Sequence, residues 1–127
     1  MNTFTLMLID DDMLTNTFNS MIIQLKYPDA ELQVYTNAIQ AMEDLRNDQK
    51  KKPSLILLDL NMPLMNGWDF LDEFKTLHLS TPVVLVTSSN DEDDKRRVKE
   101  YQEIKKYIVK PISMEALRDL ERLIVKE

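Results

Sequence analysis

Three consecutive carboxylates, Asp10, Asp11 and Asp12, follow the apolar run "LMLI", and a fourth, Asp59, follows "LILL". Thr87 closes "VVLV" and Lys110 closes "YIV". Two carboxylates about 4 Å apart repel by several kcal/mol at an effective dielectric of ~20. A cluster of three is tolerable only if protons or a cation sit among them. Hard oxygen donors suit Mg²⁺, which accepts carboxylates and keeps several waters. An ammonium and a hydroxyl beside that ion would stabilise an incoming phosphoryl group. A carboxylate can itself be the nucleophile and form an acyl phosphate. That chemistry requires residues a hundred positions apart to meet, so the elements that carry them decide the matter.

The apolar runs alternate with segments of helical period. Phe4 to Ile9, Leu32 to Tyr35, Leu55 to Leu58, Pro82 to Val86 and Tyr107 to Val109 are the predicted strands. Most lack in/out alternation, as expected of parallel strands covered on both faces. "LQVY" does alternate and suits an edge. Leu14, Phe18, Met21, Ile22 and Leu25 form the stripe of an amphipathic helix whose apolar side is expected to face the core. Ala38, Ala41, Met42 and Leu45 make a second stripe after Asn37 as N-cap, and Phe70, Leu71, Phe74 and Leu77 a third. "NDEDDKRRVKEYQ" has acids early and bases late, matching a helix dipole. The last helix opens at Ser113, with Leu117, Leu120 and Ile124 along one side. Five strands alternating with five helices imply a doubly wound α/β sheet. In such a sheet the C-terminal strand ends share one edge, where ligands bind.

Composition sets bounds. The 127 residues suit one domain, and no linker or repeat divides them. A net charge of −6 opposes a duplex-binding surface. No apolar run reaches the length of a membrane span, no secretory leader is visible, and the lack of cysteine makes the cytoplasm the simplest compartment. The single glycine, Gly67, excludes glycine-rich phosphate loops and marks a place needing positive φ or close backbone approach.

"LIDDD", "LILLDLNMPLMNGWDFL", "VVLVTSS" and "YIVKPIS" resemble, in order and spacing, the blocks of response regulator receiver domains of two-component signalling, and the resemblance covers the whole chain. It implies a flavodoxin-like five-stranded parallel sheet in the order 2-1-3-4-5 and a single receiver domain over residues 1–127. Asp59 would be the phosphorylated residue. Asp11 would ligate Mg²⁺ directly, Asp10 through water, and Asn61 through its carbonyl. Thr87 would hydrogen-bond the phosphoryl group and Lys110 pair with its charge, ahead of a Lys110–Pro111 step that is usually cis. Tyr107 would turn inward as Thr87 moves. The implied donor is a phosphohistidine on a sensor histidine kinase or histidine phosphotransfer protein. The protein would be a switch with self-phosphorylation and self-dephosphorylation, working as a monomer or a phosphorylation-dependent dimer on a downstream protein. Its output face would draw on Arg97, Tyr101, Tyr107 and Glu115. "EIKKY" stands where many receivers carry Gly-Ala, and Asn61 and Ser89 occupy positions that tune hydrolysis in the family.

Taken singly, several of these residues have plainer readings. Asp10 to Asp12 suit a helix N-terminus, Thr87 a strand, Lys110 a solvated loop and Tyr107 a core position with a wet hydroxyl. Asp12 is read as cap or flank, His78 as solvated, Trp68 as packing. Two other functions stay open: a receiver-like module that takes no phosphate, and a metal-dependent aspartyl-phosphate phosphohydrolase. The latter is disfavoured because "DLN" at Asp59 lacks a second acid.

Overall fold

A computed structural model of the protein describes residues 4–124. Five strands, β1 (Thr5–Ile9), β2 (Glu31–Tyr35), β3 (Leu55–Leu58), β4 (Val83–Thr87) and β5 (Ile104–Val109), form one parallel sheet in the order β2-β1-β3-β4-β5. Between and after them lie α1 (Met13–Lys26), α2 (Ala38–Arg46), α3 (Gly67–Phe74), α4 (Glu92–Arg97) and α5 (Met114–Leu120). The predicted fold class and strand order are those observed.

Continuous apolar runs are explained by two cores, one on each side of the sheet. Met7, Ile9, Ile56, Leu58, Val83 and Leu85 face α2 and α3, packing on Met42, Leu45, Phe70 and Phe74. Leu6, Leu8, Leu55, Leu57, Val84 and Val86 face the other way, onto Ile23, Leu117 and Leu120. Alternate strand residues therefore serve different cores, and each buried aliphatic contributes about 1.5–3 kcal/mol. β2 is an edge strand, consistent with its alternation.

The expected caps Asn37 and Ser113 hold, accepting the Gln40 and Ala116 amides, and α4 is capped by Asp91, which accepts the Asp93 amide. The acids of α4's first turn lie at its start. β5 begins earlier than expected, at Ile104. Its pairing with β4 skips Lys105, because Val83 pairs with Ile104 and Val84 with Lys106. The "EIKKY" segment thus builds a bulged strand start.

The first helix contradicts its expectation. Leu14, Met21 and Leu25 are 81%, 61% and 74% exposed, and Phe18 is also exposed. The face of α1 turned to the sheet carries Asn16, Asn19 and Ile23. Polar contacts set this rotation. Asp12 caps α1 by accepting the Leu14 amide, and the Asn16 side chain donates to the carbonyls of Asp10 at 2.8 Å and Tyr35 at 3.2 Å. A helix held at those points cannot turn its apolar stripe inward.

Candidate functional site

The C-terminal ends of β1, β3 and β5 place the charged residues. Asp10, Asp59 and Lys110 each stand two positions after a member of the α1/α5 core, namely Leu8, Leu57 and Ile108. The strand alternation therefore sends all three toward the same side. Asp10 is buried; its carboxylate accepts the Asp12 amide at 2.9 Å and the Lys110 ammonium at 2.5 Å. Asp59 is also buried, its amide bonded to the Ile9 carbonyl, and its Oδ2 lies 3.7 Å from Lys110 Nζ. Asp11 is exposed at the rim. Oxygens of Asp10, Asp11 and Asp59 come within 4.8 Å of one another.

Burial pushes the Asp59 carboxyl above its ordinary range, and the neighbouring Asp10 charge adds to this. Lys110 and the Asn61 backbone N–H hold it down in part, while Asp11 raises it a little further. Three carboxylates against one ammonium leave two uncompensated negative charges. That all-oxygen donor set, rimmed by one exposed acid, fits a hard dication better than a soft metal.

A stability prediction follows from the sign of this shift. A carboxyl raised in the folded state binds its proton more tightly there than when unfolded. Folding is thus favoured at low pH, and the cost of ionising Asp59 grows as pH rises through the folded value, in full at neutral pH. In chelator at neutral pH, Asp59→Asn is expected to be more stable than wild type by about 1–3 kcal/mol. Chemical denaturation across the acid-to-neutral range checks this, and the variant should lack that part of the pH slope.

Gly67 serves by close approach, with φ outside the positive region. A Cβ there would lie 2.7 Å from the Asp59 carbonyl oxygen and 2.8 Å from Leu60 Cα. Because both are backbone atoms of the Asp59 loop, Gly67→Ala is expected to destabilise by about 1–3 kcal/mol. A lowered thermal midpoint would register it.

Other expected site residues are placed as follows. Thr87 is fully buried at the end of β4, and its hydroxyl oxygen accepts the Ser89 amide at 3.2 Å. The Lys110 amide donates to the Thr87 carbonyl at 2.8 Å, tying the ends of β4 and β5 together. Asn61 is exposed, and the Lys110–Pro111 peptide is cis. Tyr107 is half-buried and donates to the Ser89 carbonyl at 2.8 Å. Thr87 and Tyr107 therefore grip the same loop from two sides. His78 is exposed, as expected. Tyr101 is buried, unlike an output-face residue: it packs on Trp68 and donates to Asp72 at 2.8 Å. Arg97 lies over the Trp68 ring at 4.6 Å.

Sequence reading missed Asn16 and Asn19. Two polar residues three apart on a helix read as its solvated side, and only burial against the strand ends reveals them.

A strand-order reversal beside an acidic pocket, with a lysine from the last strand reaching in, defines a doubly wound receiver-type domain. The family model for the response regulator receiver domain matches residues 6–121, and the chain belongs to that family of two-component systems. It is 37% identical over 90 residues to the nitrate/nitrite response regulator protein NarL of Escherichia coli K12, covering 71% of this chain and 40% of NarL. It is 25% identical over 115 residues to the probable C4-dicarboxylate response regulator DctR of Priestia megaterium, covering 91% of this chain and 49% of DctR. The chain thus spans less than half the length of these relatives. A two component response regulator from Cytophaga hutchinsonii superposes with a TM-score of 0.81 at 31% identity, covering 95% of both chains. A CheY-like receiver domain protein from Methanospirillum hungatei, at 20% identity, shares the fold with a TM-score of 0.78 over 95% of this chain and 94% of that one.

Proposed function

We propose that the chain is a single receiver domain that accepts a phosphoryl group on Asp59 and switches a protein-binding surface in response. The observation that carries this is the meeting of Asp10, Asp11 and Asp59 with the ammonium of Lys110 at one edge of the sheet. An Asp59 carboxylate oxygen attacks phosphorus, the bond from phosphorus to the donor's imidazole nitrogen breaks, and a mixed anhydride forms. Lys110 would balance charge on the transferred group, and Thr87 would donate its hydroxyl to it. Asp10, Asp11, Asp59 and the Asn61 carbonyl would hold Mg²⁺, which supplies charge neutralisation when bound. As Thr87 releases the Ser89 amide for the phosphoryl group, the loop after β4 would move and Tyr107 with it, shifting a two-state equilibrium. The cytoplasm is the proposed compartment, and no helix among the described residues is long and apolar enough to cross a membrane.

The proposed donor is a phosphohistidine on a sensor kinase or phosphotransfer protein. A segment of the sensor histidine kinase CheAY of Helicobacter pylori is 33% identical to this chain over 93 residues, so kinase and receiver-like sequence share that protein. The exposed side of α1 supports the reading. Leu14 and Phe18 line an open groove of about 210 Å³ with Lys110 and Pro111, so apolar surface runs up to the mouth of the acidic pocket. Such a patch suits a partner that must bring its phosphoryl group to Asp59. Phe18→Asp is expected to slow transfer from a phosphohistidine protein by about tenfold or more, as loss of a central apolar anchor does. Modification by a small acyl phosphate, which needs no docking, should be unchanged.

Incubation with Mg²⁺ and a small acyl phosphate, followed by intact-mass measurement, tests the function. One added phosphoryl group, absent in chelator, is expected. Unmodified protein would instead favour a phosphate-free interaction module, and turnover of a phosphoester a phosphohydrolase.

A further inference from the structure

Beneath the acidic pocket, on the α1 side of the sheet, lies a small cavity lined by Asp10, Asn16, Asn19, Leu57, Asp59 and Val86. Its volume is about 10 Å³, the lower bound for housing one water. Two oxygens of its lining residues, Asn16 Oδ1 and Asp59 Oδ1, are buried and lack a hydrogen-bond partner among the described residues. Asn16 is 4% exposed, Asn19 6% and Asp59 5%. The Asn16 amide group is committed elsewhere, to the Asp10 and Tyr35 carbonyls. Its Oδ1 therefore points away from those bonds, and reversing the amide would forfeit both of them.

Both orphaned atoms are acceptors, and acceptors cannot satisfy one another. A group of one-water size that brings two donors is water itself. Buried polar oxygens left without a donor are costly, and a cavity with polar partners on two sides is where an internal water is retained.

We propose that this cavity holds a structural water that donates to Asn16 Oδ1 and Asp59 Oδ1, making Asn16 a positioning residue for the phosphoryl acceptor. Asn16 thereby has two tasks. Its amide group fixes the end of β1, which carries Asp10 and Asp11, to the edge strand β2. Its oxygen, through the water, holds one oxygen of Asp59 inward while Oδ2 faces Lys110. The acceptor would be kept in one orientation, sparing the reaction the search among side-chain rotamers. Asn19 limits the volume of the cavity, which explains a second buried asparagine on the same helix face. The structural part stands on the cavity alone; the positioning part rests on Asp59 being the acceptor.

The test pairs crystallography with kinetics on the full chain. Wild type should show an ordered water within hydrogen-bond distance of Asn16 Oδ1 and Asp59 Oδ1. Asn19→Leu should fill the cavity with apolar atoms and expel that water, leaving the Asn16 bonds to backbone in place. Its rate of modification by acetyl phosphate should fall about tenfold, the effect of losing one hydrogen bond to a charged group. Asn19→Ser, which leaves the space open, should keep the water and recover most of the rate. If Asn19→Leu does not fold, Asn19→Val takes its place. An empty cavity in wild type overturns the proposal. A water-free variant modified at the wild-type rate overturns the positioning role. Wild type that takes no phosphoryl group would end the acceptor reading and the positioning role together, and the water would then be judged from density alone.

Discussion

Asp59→Asn is expected to leave the protein unable to gain a phosphoryl group from either a small acyl phosphate or a phosphohistidine donor. Loss should be complete, because an amide oxygen is a poor nucleophile at neutral pH and no other carboxylate matches the setting of Asp59. Asp10 already accepts from Lys110 and from the Asp12 amide, and Asp11 is exposed. The same variant should fold at least as well as wild type, since it removes a buried charge raised by burial and by Asp10. An intact-mass time course, read beside a denaturation curve, checks both halves. A variant that folds well and gains nothing separates a lost acceptor from a damaged protein.

The second large effect belongs to Lys110. Its ammonium sits 2.5 Å from Asp10 Oδ2 and 3.7 Å from Asp59 Oδ2. Lys110→Ala removes the one cation among the described residues that touches both buried acids. Taking away one partner of a buried charge pair costs about 3–5 kcal/mol, so the thermal midpoint in chelator should drop at neutral pH. The drop should be smaller in acid, where the carboxylates protonate. Mg²⁺ should restore part of the loss, since ligand binding to the folded state stabilises by mass action, about 2.7 kcal/mol at a hundredfold excess over Kd. Phosphorylation should slow by about 100- to 1000-fold even with Mg²⁺ present, the cost of deleting a fixed charge stabiliser at a developing anion. Calorimetry with and without Mg²⁺, together with acyl-phosphate kinetics, measures both.

The strands and the second and third helices were legible because burial agreed with periodicity. Ala38, Ala41, Met42 and Leu45, and likewise Phe70, Leu71 and Phe74, lie in the core that their spacing implies. The meeting of Asp10, Asp59 and Lys110 was legible for a simpler reason: parallel strands end on one edge, so residues that close buried strands come together there.

The first helix was illegible for the opposite reason. Its apolar stripe is real, yet Leu14, Phe18, Met21 and Leu25 face outward and Ile22 alone of the five packs against the core. Nothing in a helical wheel distinguishes a stripe kept for the core from one kept for a partner. Asn16, which sets its rotation, does so through carbonyls of Asp10 and Tyr35, contacts that exist only once β1 and β2 are paired. Tyr101 misled likewise: its burial against Trp68 and its bond to Asp72 depend on how α4 and the segment after it lie over α3.

Locating the modified residue tests the central claim most directly. Protein incubated with Mg²⁺ and a small acyl phosphate would be reduced with borohydride, which converts an aspartyl phosphate to homoserine, then digested and sequenced by mass spectrometry. Homoserine at position 59, and at no other aspartate, is the predicted result. Label at Asp10 or Asp11, phosphate on a serine or threonine, or no label in folded protein would contradict it.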